Sequence, residues 1–171
     1  MSSNPCLSST EFIQSDAPEI VALAAELRRA TDQETAIAAF DWVRDRIRYD
    51  PWTAAGDRGS HRATSVLRAR RGYCIQKAVL LAALCRAAGI PARLGFADVI
   101  NHKNPAKLRE AMGTDLFVFH GYVELYLDGA WIKATPAFDP TTAERAGALL
   151  VELDGIGDAM FHPVEIGRAH V

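Results

Sequence analysis

Apolar residues recur at helical spacing in the first third of the chain and mark two helices. Ile20, Leu23, Ala24 and Leu27 share one face of a helix predicted to run to about Arg29. Ser15-Asp16-Ala17-Pro18-Glu19 opens it, with Asp16 as the cap, Pro18 in the first turn and Glu19 three residues beyond the cap. Thr31 and Glu34 form a capping-box pattern ahead of a second helix, whose Ala36, Phe40, Val43 and Ile47 recur at the same spacing. Tyr49 to Arg62 is rich in Gly, Asp and Pro and reads as a loop, followed by a short helix around Ser65 to Arg70. Cys74 to Ala88 is the clearest helix, built from strong helix formers and stopped by Gly89 and Pro91.

Past that helix the strand signals begin. Arg93 to Ile100 is predicted to be a strand, and Asn101 to Asp115 a polar connection with a helical turn near Leu108. Asp128-Gly129 between two β-rich runs is a hairpin signal that fixes register: Leu127 faces Ala130, Tyr126 faces Trp131, and Glu124 faces Lys133. Continued, the register sets Tyr122 against Thr135, His120 against Ala137, and Val118 against Asp139. Thr135 and Asp139 then become diagonal neighbours of His120 on its own face, roughly 7–8 Å away at Cα. Pro136 should end regular pairing in the second strand or mark a sheet edge. GALLVELDG suggests one more short strand. With helices first and strands after, the class is α+β. The expected organisation is a single domain over 1–171: N-terminal helices 16–48, a core over 64–140 and a C-terminal extension 141–171.

Composition changes this picture little. The 171 residues are 49% apolar and 23% charged, as in an ordinary soluble globule. A formal charge of −2 gives no electrostatic reason to expect nucleic acid or an anionic membrane as partner. The basic run Arg68, Arg70 and Arg71 reads as a solvated face. MSSNPCLSSTEF has neither the basic start nor the apolar core of a signal peptide, and no window approaches the ~20 apolar residues of a membrane span. The three cysteines, Cys6, Cys74 and Cys85, are an odd number at no zinc-like spacing, so free thiols in a reducing cytoplasm are the expectation.

The chemistry concentrates on Cys74, which follows Gly72 and Tyr73 at the start of its helix. A cysteine nucleophile needs a base, and the base needs an orienting partner. A helix N-terminus adds partial positive charge and free N–H groups, which lower a thiol pKa and can hold an oxyanion. Cys74 is placed for that help. Cys85, three turns along the same helix, reads as a small buried residue. A zinc site from Cys74, Cys85, His102 and His120 is disfavoured, because the two cysteines lie about 16 Å apart along the helix.

These segments match a known pattern. GYCIQKAVLLAALCRAAGIPAR resembles the cysteine segment of the transglutaminase-like superfamily, and HGYVELYLDGAWIKATPAF resembles its histidine segment. The resemblance extends over about residues 65–139. It implies a papain-like core in which the catalytic helix packs on an antiparallel β-sheet. It also implies a cysteine protease-like hydrolase, or an acyltransferase to amines, working through a thioester without metal or organic cofactor. The substrate would be a peptide, protein or small amide. Carried over by position, Cys74 matches the nucleophile and His120 the general base. Trp131 matches the Trp ahead of the third catalytic position, where the family's Asp is replaced by Thr135. Either Thr135 or Asp139 completes the triad, or the chain is a catalytically weak or inactive binding module.

Other residues remain open. An oxyanion hole would combine the Cys74 N–H with a donor from Trp52, Tyr49 or Gln76. Tyr73 either lines the cleft or packs. Lys77, one turn after Cys74, either favours the thiolate or is exposed. Asp98, Asn101 and His102 either border the site or form a turn, while His61, His162 and His170 show no partner pattern.

Overall fold

A computed structural model describes residues 4–100, 110, 113, 116–160 and 165–170, with backbone alone at 99–100, 116–118 and 165–170. The helices are α1 (Pro18–Leu27), α2 (Asp32–Arg46), α3 (Ala63–Ala69), α4 (Cys74–Ala87) and α5 (Pro140–Ala146). The strands are β1 (Arg48–Tyr49), β2 (Arg71–Gly72), β3 (Ala92–Ile100), β4 (Leu116–Leu127), β5 (Ala130–Ala134) and β6 (Glu165–His170). Strands β5-β4-β3-β6 form one sheet in that order with antiparallel pairing, and β1 and β2 form a short parallel pair. The class is α+β, as the order of elements predicts.

Helix α4 is the centre of the molecule. It is apolar all round, so every face needs a cover. Helices α1, α2 and α3 pack on it, and β3 and β4 supply the sheet side. Ala78, Leu80, Leu81, Ala82 and Ala83 lose all solvent contact as a result. Its end is a Schellman motif: Gly89, at φ 85°, donates to Arg86 O at 3.0 Å, and Ile90 N donates to Cys85 O at 2.9 Å.

The start of α2 forms as expected, with Thr31 Oγ1 accepting from Glu34 N and Glu34 Oε2 accepting from Thr31 N, both at 3.1 Å. Helix α1 differs. Its cap is Ala17, with no side-chain bond, and Asp16 instead accepts from Ser9 Oγ at 2.5 Å. Pro18 at the first helical position has no N–H to satisfy and a preset φ, so the helix starts without Asp16.

The hairpin turns with Asp128 at φ 47° and Gly129 at φ 86°, the backbone of a type I′ turn. Its register runs from Leu127↔Ala130 to Val123↔Ala134, as predicted. The continuation towards Asp139 does not form, because β5 ends two residues before Pro136. Ala159 covers the edge there, its N–H donating to Lys133 O at 2.7 Å and its carbonyl accepting from Thr135 N at 2.9 Å. The strand expected in GALLVELDG is also absent. Its backbone is met by side chains of α2 instead: Arg44 Nη1 donates to Val151 O at 3.0 Å and Gln33 Nε2 to Gly155 O at 3.2 Å. The turn expected near Leu108 lies outside the described residues.

Candidate active site

Cys74 is the first residue of α4 and has Tyr73 as its cap. Gln76 Oε1 closes the cap by accepting from Tyr73 N at 3.2 Å. The β1–β2 pair sets Tyr49 beside Gly72. From the other side, β4 comes into direct contact with the first turn of α4. A Cβ on Gly121 would lie 2.8 Å from Ile75 Cα, an approach that only glycine permits. At this approach the backbone N–H groups of Gly121, Ile75 and Cys74 itself favour the Cys74 thiolate.

His120 precedes Gly121, and its direction is set by a β-bulge. Ala97 pairs with His120 but Val99 pairs with Phe117, so Val118 and Phe119 both oppose Asp98. Phe119 stands at φ 59°, held by its N–H to Asp98 Oδ1 at 3.1 Å. An aromatic residue in that region costs about 1–3 kcal/mol, and such strain concentrates at functional sites. The His120 ring is buried, with Nε2 hydrogen-bonded to Thr135 Oγ1 at 3.0 Å.

Asp139 does something else. It caps α5, accepting from Thr142 N at 3.0 Å, from Thr142 Oγ1 at 2.8 Å and from Tyr49 N at 2.7 Å. The diagonal geometry drawn from an unbroken hairpin therefore reaches Thr135 and stops there.

Burial dominates the electrostatics. It pushes the Cys74 thiol up to about 11, although the three N–H groups favour the thiolate. It pushes the His120 imidazole down to about 4. The depressed thiol pKa expected of a helix N-terminus is thus reversed, and at neutral pH both groups are uncharged.

The remaining candidates are placed as follows. Gln76 is 2% exposed and commits its amide, Nε2 donating to Ser60 O at 3.0 Å and Oε1 accepting from Thr53 Oγ1 at 2.6 Å, so it anchors the loop rather than offering an oxyanion donor. Trp52 is 69% exposed on a 3-10 turn over Pro51–Ala55. Tyr49 packs edge-on against Phe138, its phenol pushed up by burial and by the neighbouring Cys74 sulfur. Tyr73 packs against His61, its hydroxyl 3.0 Å from His61 Nε2, which gives that histidine a partner the sequence did not reveal. Lys77 is fully buried rather than exposed; Nζ donates to Arg44 O at 3.1 Å and Ile47 O at 2.5 Å, capping the end of α2. Asp98 lies within β3 at the bulge rather than in a turn. Cys85 is core. Asn101, His102 and His162 fall outside the described residues, and His170 is in β6. Residue reasoning missed Gly121 and the Phe119 bulge. The signal available was a glycine directly after a histidine inside a strand pattern, which marks a bulge or a close approach.

Among known proteins, the transglutaminase-like superfamily pattern matches residues 21–136. No curated protein matches the sequence. A solved structure from Cytophaga hutchinsonii, provisionally named a cysteine protease, shares the fold with a TM-score of 0.60 at 22% identity. The match covers 97% of this chain and 53% of that one. The periplasmic domain of TgpA from Pseudomonas aeruginosa superposes with a TM-score of 0.52 at 25% identity, over 79% of this chain and 48% of that domain. The chain therefore spans about half the length of both structures. With a cysteine opening the core helix, a histidine on the strand β4 that packs on that helix, and a family match over most of its length, the chain belongs to the transglutaminase-like superfamily.

Proposed function

We propose that the protein is a cysteine-dependent acyl-transfer enzyme that hydrolyses peptide or other amide bonds. The observation that carries this reading is the meeting of α4 and β4: the Gly121 backbone lies against the first turn of α4, which Cys74 opens, with His120 next in the chain and bonded to Thr135. With Nε2–H donating to Thr135 Oγ1, the imidazole presents Nδ1 as a base. Nδ1 takes the thiol proton as the sulfur attacks the acyl carbon. Backbone N–H groups at the start of α4 stabilise the oxyanion. The imidazolium then protonates the leaving amine, and the thioester remains. Water attacks the thioester, Nδ1 accepts its proton, and the carboxylic acid leaves with the free thiol restored.

Thr135 orients the ring but brings no charge to an imidazolium, which fits the low His120 pKa. The same substitution favours a second reading, a module that binds in the cleft and turns over weakly or not at all. A quenched-fluorescence peptide library, incubated with and without a primary amine, tests both. Cleavage lost in Cys74→Ala supports the hydrolase, and amine incorporation in place of cleavage makes it a transferase. Retained ligand binding with no turnover in the wild-type protein favours the module.

A further inference from the structure

A groove of about 720 Å³ opens beside the site, with Arg46, Arg48, Arg70, Arg145, Trp52 and Tyr49 in its walls. All four guanidinium-bearing residues are exposed. Three carboxylates share the groove, and each is committed. Asp45 is chelated by Arg44 at 2.6 and 2.9 Å, and Asp139 is the cap of α5. Asp50 accepts from Trp52 N at 3.1 Å and stands 3.9 Å from Arg48 and 3.7 Å from Arg71. Arg46, Arg70 and Arg145 have no ion pair among the described residues; Arg70 lies over the Trp42 ring at 4.8 Å. The chain as a whole carries −2, so a cluster of cations here is not a by-product of a basic protein.

Two further observations point to a ligand. Trp52 exposes 69% of its surface on this wall, a large flat contact that the core does not use. Arg70 sits at φ 53° at the end of α3, where glycine would be free of strain. The backbone therefore does not ask for arginine there. Tyr49 joins the groove to the chemistry, since it lines this wall and pairs with Gly72, two residues before Cys74.

We propose that this groove is the substrate-recognition arm of the Cys74 site and selects peptides carrying side-chain carboxylates. The inference rests on the enzyme reading above for its link to catalysis. Arginine forks match carboxylates in two-point contacts, and the exposed tryptophan gives the peptide a surface to lie on. The sequence run Arg68, Arg70 and Arg71 is exposed, as a solvated face should be; Arg68 pairs with Glu19 at 2.9 Å, and Arg70 also lines the groove.

The test uses two fluorescein-labelled hexapeptide amides, identical except for two Glu in one and two Gln in the other. Their binding to the Cys74→Ala protein is followed by anisotropy. The Glu peptide is expected to bind about 10-fold tighter, with the preference shrinking in high salt. The preference should also fall to near unity in Arg46→Gln/Arg145→Gln and weaken in Arg70→Gly. Equal affinity for the two peptides, or an unchanged preference in the double variant, overturns the proposal. Acyloxymethyl ketones built on the same sequences then react with the wild-type protein. Glu-selective binding with no labelling of Cys74 over Cys85 upholds the groove and refutes the enzyme. Labelling at Cys74 without Glu preference upholds the enzyme and refutes the groove.

Discussion

Cys74 and Cys85 occupy one helix and are both buried, at 7% and 1% exposure. Burial pushes both thiols up, to about 11 and about 12. By resting ionisation they are nearly alike. What separates them is what other elements bring. Backbone N–H groups favour the thiolate of Cys74, at the N-terminal end of α4 where β4 carries an imidazole, whereas Cys85 has burial alone acting on its thiol. A candidate nucleophile in this fold is therefore recognised by the polar groups converging on it rather than by a low resting pKa. On the proposed mechanism, reactivity appears when substrate lets His120 take the proton.

The sharpest way to break the comparison is to truncate each thiol in turn. Cys74→Ala should lower hydrolysis by about 10³-fold or more, while Cys85→Ala should leave turnover intact and cost about 1 kcal/mol in denaturant unfolding. Similar kinetic losses in both variants would erase the distinction.

The next effect is on stability and belongs to His120. Its folded pKa of about 4 lies below the ordinary value of 6.5. Between those two values the unfolded chain binds more protons, so stability falls as pH drops through this window and levels off below pH 4. The loss attributable to this one group is about 3 kcal/mol. It is read as the difference in unfolding free energy between wild type and His120→Asn across pH 4–7. Parallel curves for the two proteins would show that burial does not set this ring's charge.

Gly121→Ala tests the contact that brings β4 to Cys74. The added Cβ meets Ile75 Cα at 2.8 Å, so either β4 or the first turn of α4 must move. About 2 kcal/mol of stability should be lost. Cleavage at Cys74 should fall further than the remaining folded fraction explains, with Cys85 still buried to alkylating agents.

The smallest change is Thr135→Asp. A carboxylate at 3.0 Å from Nε2, where the hydroxyl now stands, would stabilise the imidazolium and raise the His120 pKa. Turnover at neutral pH should rise by about 10-fold. An unchanged His120 titration by NMR would mean that Thr135 does not govern the ring.

The same contrast explains what could be read in advance. The course of α4 was legible because propensity, an apolar surface and the Gly89 stop all agree locally. The hairpin register was legible because Asp128-Gly129 admits few turns. The placement of Cys74 at the start of α4 and the His120–Thr135 hydrogen bond followed from those two elements and the family pattern. Lys77 was not legible, because its burial depends on carbonyls of α2 about thirty residues earlier in the chain. Nor was the bulge at Phe119, which arises only once β3 pairs with β4. Asp139 looked like a partner for His120 because the register was extended past Pro136; capping α5 claims its carboxylate instead.

The central claim is that Cys74 and His120 act as one unit. Its most direct measurement is covalent capture by a peptidyl acyloxymethyl ketone, with adducts located by peptide mass spectrometry. The expected result is an adduct on Cys74 and not on Cys85, formed at least about 10-fold more slowly in His120→Asn. Equal labelling of the two cysteines, or a His120→Asn protein captured at the wild-type rate, would contradict it.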